Sequence, residues 1–111
     1  YTLKLEEIAQ TKAIKGNDPT TITLDLFGNK EPVEGNFTQM LSLQQNNSEM
    51  AVVNLTQLGL PDDSVKGVRY RLEFVAENTT YPPVWQLIWV GAQYICQEGR
   101  GSQTWTKEIC S

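Results

Sequence analysis

The chain of 111 residues contains no histidine. That removes the usual general base, the usual proton shuttle and the commonest transition-metal ligand. Two cysteines remain, Cys96 and Cys110, with thirteen mostly polar residues between them that include Gly99 and Gly101. A zinc site would need two further soft or nitrogen ligands, and the chain has no other Cys to supply them. The spacing is also far from the C-x-x-C of a redox pair. The expectation is a disulfide that ties the C-terminal tail to the end of a strand, with two free, buried thiols as the alternative. Such a closure is worth about 3 kcal/mol in the chain-entropy account, and it implies an oxidising compartment.

With both thiols oxidised, catalysis would fall to Asp, Glu, Lys, Tyr or Ser. Glu73, Glu77, Asp25 and Glu98 are the carboxylates from which a glycosidase-like pair would be drawn, but such a pair is defined by distance across a cleft. Glu73 and Glu77 alternate with Arg69 and Arg71, which reads as a solvated charge ladder on one strand face. Asp62-Asp63-Ser64 is the densest acidic spot. It lacks the spaced ligands of a calcium loop and reads as a turn whose carboxylates bond backbone amides. The expectation is therefore no catalytic residue, no metal and no cofactor.

The side chains best suited to binding are Trp85, Trp89, Trp105 and Arg100. Trp85 and Trp89 are four residues apart, so a regular strand would put both indoles on one face. Exposed, they would form a flat platform for sugar rings or an apolar partner; buried, they are core. Burial is expected for at least one of them, with Trp105 in the cysteine loop covering that face. Arg100, between two glycines, is either an exposed carboxylate contact or a structural donor to loop carbonyls. Asn36, Asn46, Asn54 and Asn78 each begin an Asn-x-Ser/Thr triplet, a glycan acceptor only in a eukaryotic secreted protein. Asn54 falls within a predicted strand, which argues against it.

These residues must be positioned by extended chain. Six segments show strand composition or alternation: 2–8, 20–27, 37–43, 50–58, 68–76 and 84–97. Thr20 to Phe27 alternates Ile22, Leu24 and Leu26 against Thr21, Thr23 and Asp25. Gly16-Asn17-Asp18-Pro19, just before it, reads as a turn. Phe37 to Leu43 is weaker and suits an edge. Val68, Tyr70, Leu72, Phe74 and Ala76 share one face of the cleanest strand. Val84 to Gln97 is apolar on both faces and belongs inside a sheet, with Gly91 marking a bulge, bend or close approach. Helical spacing of Leu5, Ile8, Ala9 and Lys12 allows a short helix over 5–15.

The fold expected is mainly β: an antiparallel sandwich or partly closed barrel of about six strands in a single domain spanning 1–111. The alternative is α+β, a curved antiparallel sheet packed on an N-terminal helix. Nine Lys and Arg against thirteen Asp and Glu give a net charge of −4. With no basic run, that charge disfavours nucleic acid and anionic lipid. No stretch has the apolar length of a membrane span. The chain begins at Tyr1 rather than Met, which reads as processing, with an export or lipid-anchor segment removed.

The run Val84-Trp85-Gln86-Leu87-Ile88-Trp89-Val90-Gly91-Ala92-Gln93-Tyr94, followed by Cys96, Gly99-Arg100-Gly101, Trp105 and Cys110, resembles small uncharacterised secreted or lipoprotein-like proteins of cyanobacteria. The segment Leu60-Pro61-Asp62-Asp63-Ser64-Val65, with Arg69-Tyr70-Arg71, looks like the same group. The resemblance covers roughly half of the chain and leaves out the first forty residues. It implies export to the periplasm or cell surface and brings no catalytic residues with it. The functional expectation is an extracytoplasmic, non-catalytic binding or interaction module for a protein or carbohydrate partner. The alternatives are an accessory subunit of a surface or membrane complex and a small carboxylate-dependent hydrolase or lyase.

Overall fold

The computed structural model describes residues 2–28, 37–45, 49–60, 64–77, 81–108 and 110. Two short helices precede a meander of long strands. In chain order the elements are α1 (Leu5–Thr11), β1 (Lys15–Gly16), α2 (Pro19–Phe27), β2 (Thr38–Gln45), β3 (Met50–Leu58), β4 (Val65–Glu77) and β5 (Val84–Cys96). All five strands join one antiparallel sheet in the order β1-β5-β4-β3-β2.

The architecture is mainly β, as the alternation implies, and of the two arrangements it is the sheet with helices. Among the described residues the sheet is neither closed into a barrel nor doubled into a sandwich, and it has five strands where about six were expected. The difference lies in the first 28 residues. The segment 2–8 contributes only a bridge at Thr2 before α1 begins. The segment 20–27 is helix, not strand.

The reason for the second helix is local. Asp18 is its N-cap, and its carboxylate accepts from the backbone N–H of Thr20 at 2.9 Å and from the Thr20 hydroxyl at 2.8 Å. Pro19 sits at the first helical position, where a missing N–H costs nothing. Asp-Pro is thus a helix start as well as a turn signal. These bonds hold the Asp18 carboxyl below its ordinary value of 3.8. The β-branched residues that favour extended chain are accommodated one by one: Ile22 enters the core, and the buried Thr23 hydroxyl donates to the Pro19 carbonyl at 2.9 Å.

Topology supplies the second reason. β1 and β2 lie at opposite edges, so the chain between them must cross a face of the sheet, and α2 is packed against β3, β1 and β5 on that path. Beneath it the strands present Ala51, Val53, Leu72, Phe74, Leu87 and Val90, all nearly inaccessible. Leu3, Leu5, Ile8, Ile14, Leu26 and Phe27 pack on this cluster from the helical side. Phe27 stacks on Tyr70 of β4 with ring centroids 4.3 Å apart. Burial, together with the nearby Tyr94 phenol, raises the Tyr70 hydroxyl above its ordinary value of 10.0. Gln57, the one buried amide among the described residues of this face, donates to the Phe27 carbonyl at 2.9 Å and to the Gln39 amide oxygen at 2.8 Å.

β5 is sealed along its outer edge by short pieces of chain instead of one full strand. Leu87 donates to the Ile14 carbonyl, Leu3 to Val90, and Cys96 to Ser102, at 2.8 to 2.9 Å. Tyr94 and Thr106 exchange both of their backbone bonds. Edge amides that would otherwise invite a foreign strand are thereby satisfied. Cys96 and Cys110 form the expected disulfide, with Cα atoms 5.6 Å apart. It anchors the tail at the end of β5. No helix among the described residues is long and apolar enough to cross a membrane.

Candidate functional site

The face of the sheet away from the helices carries the chemistry. Residues paired directly across an antiparallel sheet share a face. The pairing Ser42–Asn54, Asn54–Arg71, Arg71–Gly91 and Gly91–Thr2 therefore forms one row across four strands and the N-terminal bridge. The neighbouring row holds Thr56, Arg69 and Gln93. On the other flank lie Val52, Glu73 and Trp89. Gly91 contributes no side chain, and the row dips there into a cleft of about 650 Å³. Trp89, Arg69, Arg71, Gln93 and Asn54 line it, with Lys107 of the tail.

Each of these side chains is held differently. The Trp89 benzo ring lies over Gly91, where a Cβ atom would come within 2.4 Å of its far corner. Arg69 donates through Nε to the Gln93 amide oxygen at 3.1 Å, and through Nη2 to the same oxygen. Its guanidinium carbon also sits 4.8 Å from the centre of the Trp105 ring, a cation–π contact. Arg71 donates through Nε to Glu73 Oε2 at 3.2 Å. Among the described residues this is the only ion pair at the cleft. Three cations therefore face one carboxylate, in a chain whose overall charge is negative.

The tryptophans do not form the platform that their spacing implies. Trp85 is 6% exposed and lies in the core under the helices, while Trp89 lines the cleft on the opposite face. The cause is a bulge: Glu73 pairs with Trp89 but Phe74 pairs with Leu87, so Ile88 has no partner. One extra residue inverts the alternation from there on. Ile88 turns outward at 42% exposure. Trp105 reaches the cleft only through Arg69. Arg100 is exposed in the tail loop, its N–H bonded to the Gln97 carbonyl at 2.9 Å, and it does not line the cleft.

Reasoning from sequence missed Arg69, Arg71, Gln93 and Lys107 as site residues. Arg69 and Arg71 were visible as neighbours on the polar face of one strand, but nothing in the order of residues placed Gln93 or the tail beside them. The carboxylates considered for catalysis do not converge. Glu73 pairs with Arg71, Glu77 with Lys15 at 3.5 Å, Asp25 is on α2 across the sheet, and Glu98 is in the tail loop. No group of acidic or sulfur ligands that could hold a metal occurs among the described residues. Asp62 and Asp63, considered for calcium, lie outside the described residues, as do Asn36, Asn46 and Asn78. Asn54 lies within β3 on the cleft floor.

No protein-family model matches the chain, and neither the curated proteins nor the solved structures include a significant match.

Proposed function

We propose that this chain is an extracytoplasmic, non-catalytic binding module, and that the cleft over Gly91 is its site. The observation that carries the reading is the concentration of cationic and amide donors, of which only Arg71 is ion-paired among the described residues, and one indole on the sheet face away from the helices. A rigid sheet holding a few polar groups around an aromatic wall is the usual build of a recognition site. The one carboxylate beside the cleft among the described residues, Glu73, is bonded to Arg71, and no second one lines it to make a general acid and base pair. The Cys96–Cys110 disulfide and the resemblance to secreted proteins support export, to the periplasm or outside the cell.

Nuclear magnetic resonance titration against pools of soluble saccharides and short peptides tests the reading. The expected result is a set of shifts confined to the Trp89 indole, the Gly91 amide and their neighbours. Shifts confined to the helical face, or none from any pool, would overturn it.

An accessory-subunit reading draws on a different feature. β2 is the edge strand opposite β1, and Met40 and Leu43 on it are 57% and 46% exposed. That reading requires recovery of one fixed partner from native extract, and loss of that partner when Leu43 is changed to Lys.

A further inference from the structure

We infer that the cleft selects a carboxylate-bearing sugar ring, of the uronic acid kind; this rests on the binding-module reading and names its ligand class. Arg69 is oriented entirely by neutral groups, the Gln93 amide and the Trp105 ring. Its charge is thus fixed in place without being cancelled by a carboxylate among the described residues. Gln93 occupies the Nε and Nη2 side of the guanidinium. Among the described residues nothing accepts from Nη1, which leaves the terminal Nη1–Nη2 edge able to take two parallel oxygens of one acceptor. Arg71 gives only its Nε to Glu73. A carboxylate fits such a fork in its own plane.

The rest of the lining specifies what carries the carboxylate. Ser42, Asn54 and Thr2 lie in the same cross-sheet row as Arg71. Hydroxyl and amide groups of this kind both donate and accept, which matches ring hydroxyls. Trp89 supplies the apolar surface on which the C–H face of a sugar rests. Backbone amides of the sheet interior are engaged in the ladder, and among the described residues no glycine-rich loop or helix start lines the cleft, so the usual cradle for phosphate is not among them. The net charge of −4 repels an extended polyanion away from the cleft and favours a short oligosaccharide.

The test is calorimetric titration of the intact, oxidised protein with a galacturonic acid trisaccharide, its fully methyl-esterified form, and inorganic sulfate. The expected result is binding of the acid trisaccharide, at least tenfold weaker binding of the ester, and no comparable binding of sulfate. Arg69→Gln and Lys107→Gln should each weaken the acid form several-fold and narrow its advantage over the ester; Lys107 lies on the exposed tail, so its change leaves the sheet untouched. Equal affinity for acid and ester would overturn the charge selection while leaving the binding module intact. Sulfate binding as tight as the trisaccharide would overturn the sugar. Absence of any binding overturns this inference, whereas the binding-module reading falls only if the saccharide and peptide pools also fail.

Discussion

The Trp89 ring rests on Gly91, two residues further along the same strand, in space that a single methyl group at position 91 would occupy. The two residues are on one face, so the glycine is the seat of the indole. Gly91→Ala should therefore lift the ring out of the cleft wall. The ring end can swing, so the stability cost should be about 1 kcal/mol, the low end for overpacking. Near-ultraviolet circular dichroism should change clearly while the far-ultraviolet spectrum holds. An unchanged aromatic spectrum would show that the seat is not needed.

The disulfide should act on the cleft as well as on stability. Cys110→Ser frees the tail and should cost about 3 kcal/mol, the value for a closed loop of this length. The Tyr94–Thr106 bonds should then exchange amide hydrogens much faster, and the Trp105 ring should leave Arg69. Unaltered exchange at Tyr94 and Thr106 would mean that the backbone pairing alone holds the tail.

Two groups contribute at opposite ends of the pH range. The Asp18 carboxyl is lowered by its bonds to Thr20 and Thr21, so its contribution is present above the ordinary carboxyl value and is lost as pH falls through the lowered one. Asp18 is exposed, which places the cap at the weak end, about 0.5 to 1 kcal/mol. Asp18→Ala should remove that amount at neutral pH and flatten the acid limb of the melting curve. Tyr70 works in reverse: its hydroxyl is raised by burial, so stability is full below pH 10.0 and falls as the pH rises through the folded value. Tyr70→Phe should keep the stack on Phe27 and blunt the alkaline loss. Alkaline limbs that coincide for the two proteins would contradict this.

Core and edge should respond very differently to the same truncation. Phe74 is fully buried beneath the helices, and Phe74→Ala should cost about 3 to 5 kcal/mol. Leu43 is half exposed on β2, and Leu43→Ala should cost under about 0.5 kcal/mol. Urea unfolding of the two variants measures the difference directly. Similar midpoints would place the core elsewhere.

Much of the sheet was legible in the order of residues. The strands at 50–58 and 68–76 lie close to β3 and β4, because alternation over eight or more residues registers which face is wet, and 84–97 lies close to β5 through its apolar composition. Val68 to Ala76 even presents the expected face to the core. The disulfide was legible too, as the favoured reading over two free, buried thiols, since neither a zinc site nor a redox pair suits two cysteines at that spacing without histidine. The first helices were not. Thr20 to Phe27 alternates like a strand, and only the path across the sheet from β1 to β2, with the Asp18 cap, makes it helical.

The sequence by itself determined the class of backbone, the linked cysteines and the kinds of side chain available for recognition. Those follow from local patterns, where each residue answers to near neighbours. Tertiary structure decided which of them meet. One unpaired residue, Ile88, sends Trp85 into the core and Trp89 to the opposite face. Pairing across the sheet brings Arg69, Arg71 and Gln93 together, and the tied tail adds Trp105 and Lys107. Strand register and bulge position depend on contacts between segments far apart in the chain, and no local pattern encodes them.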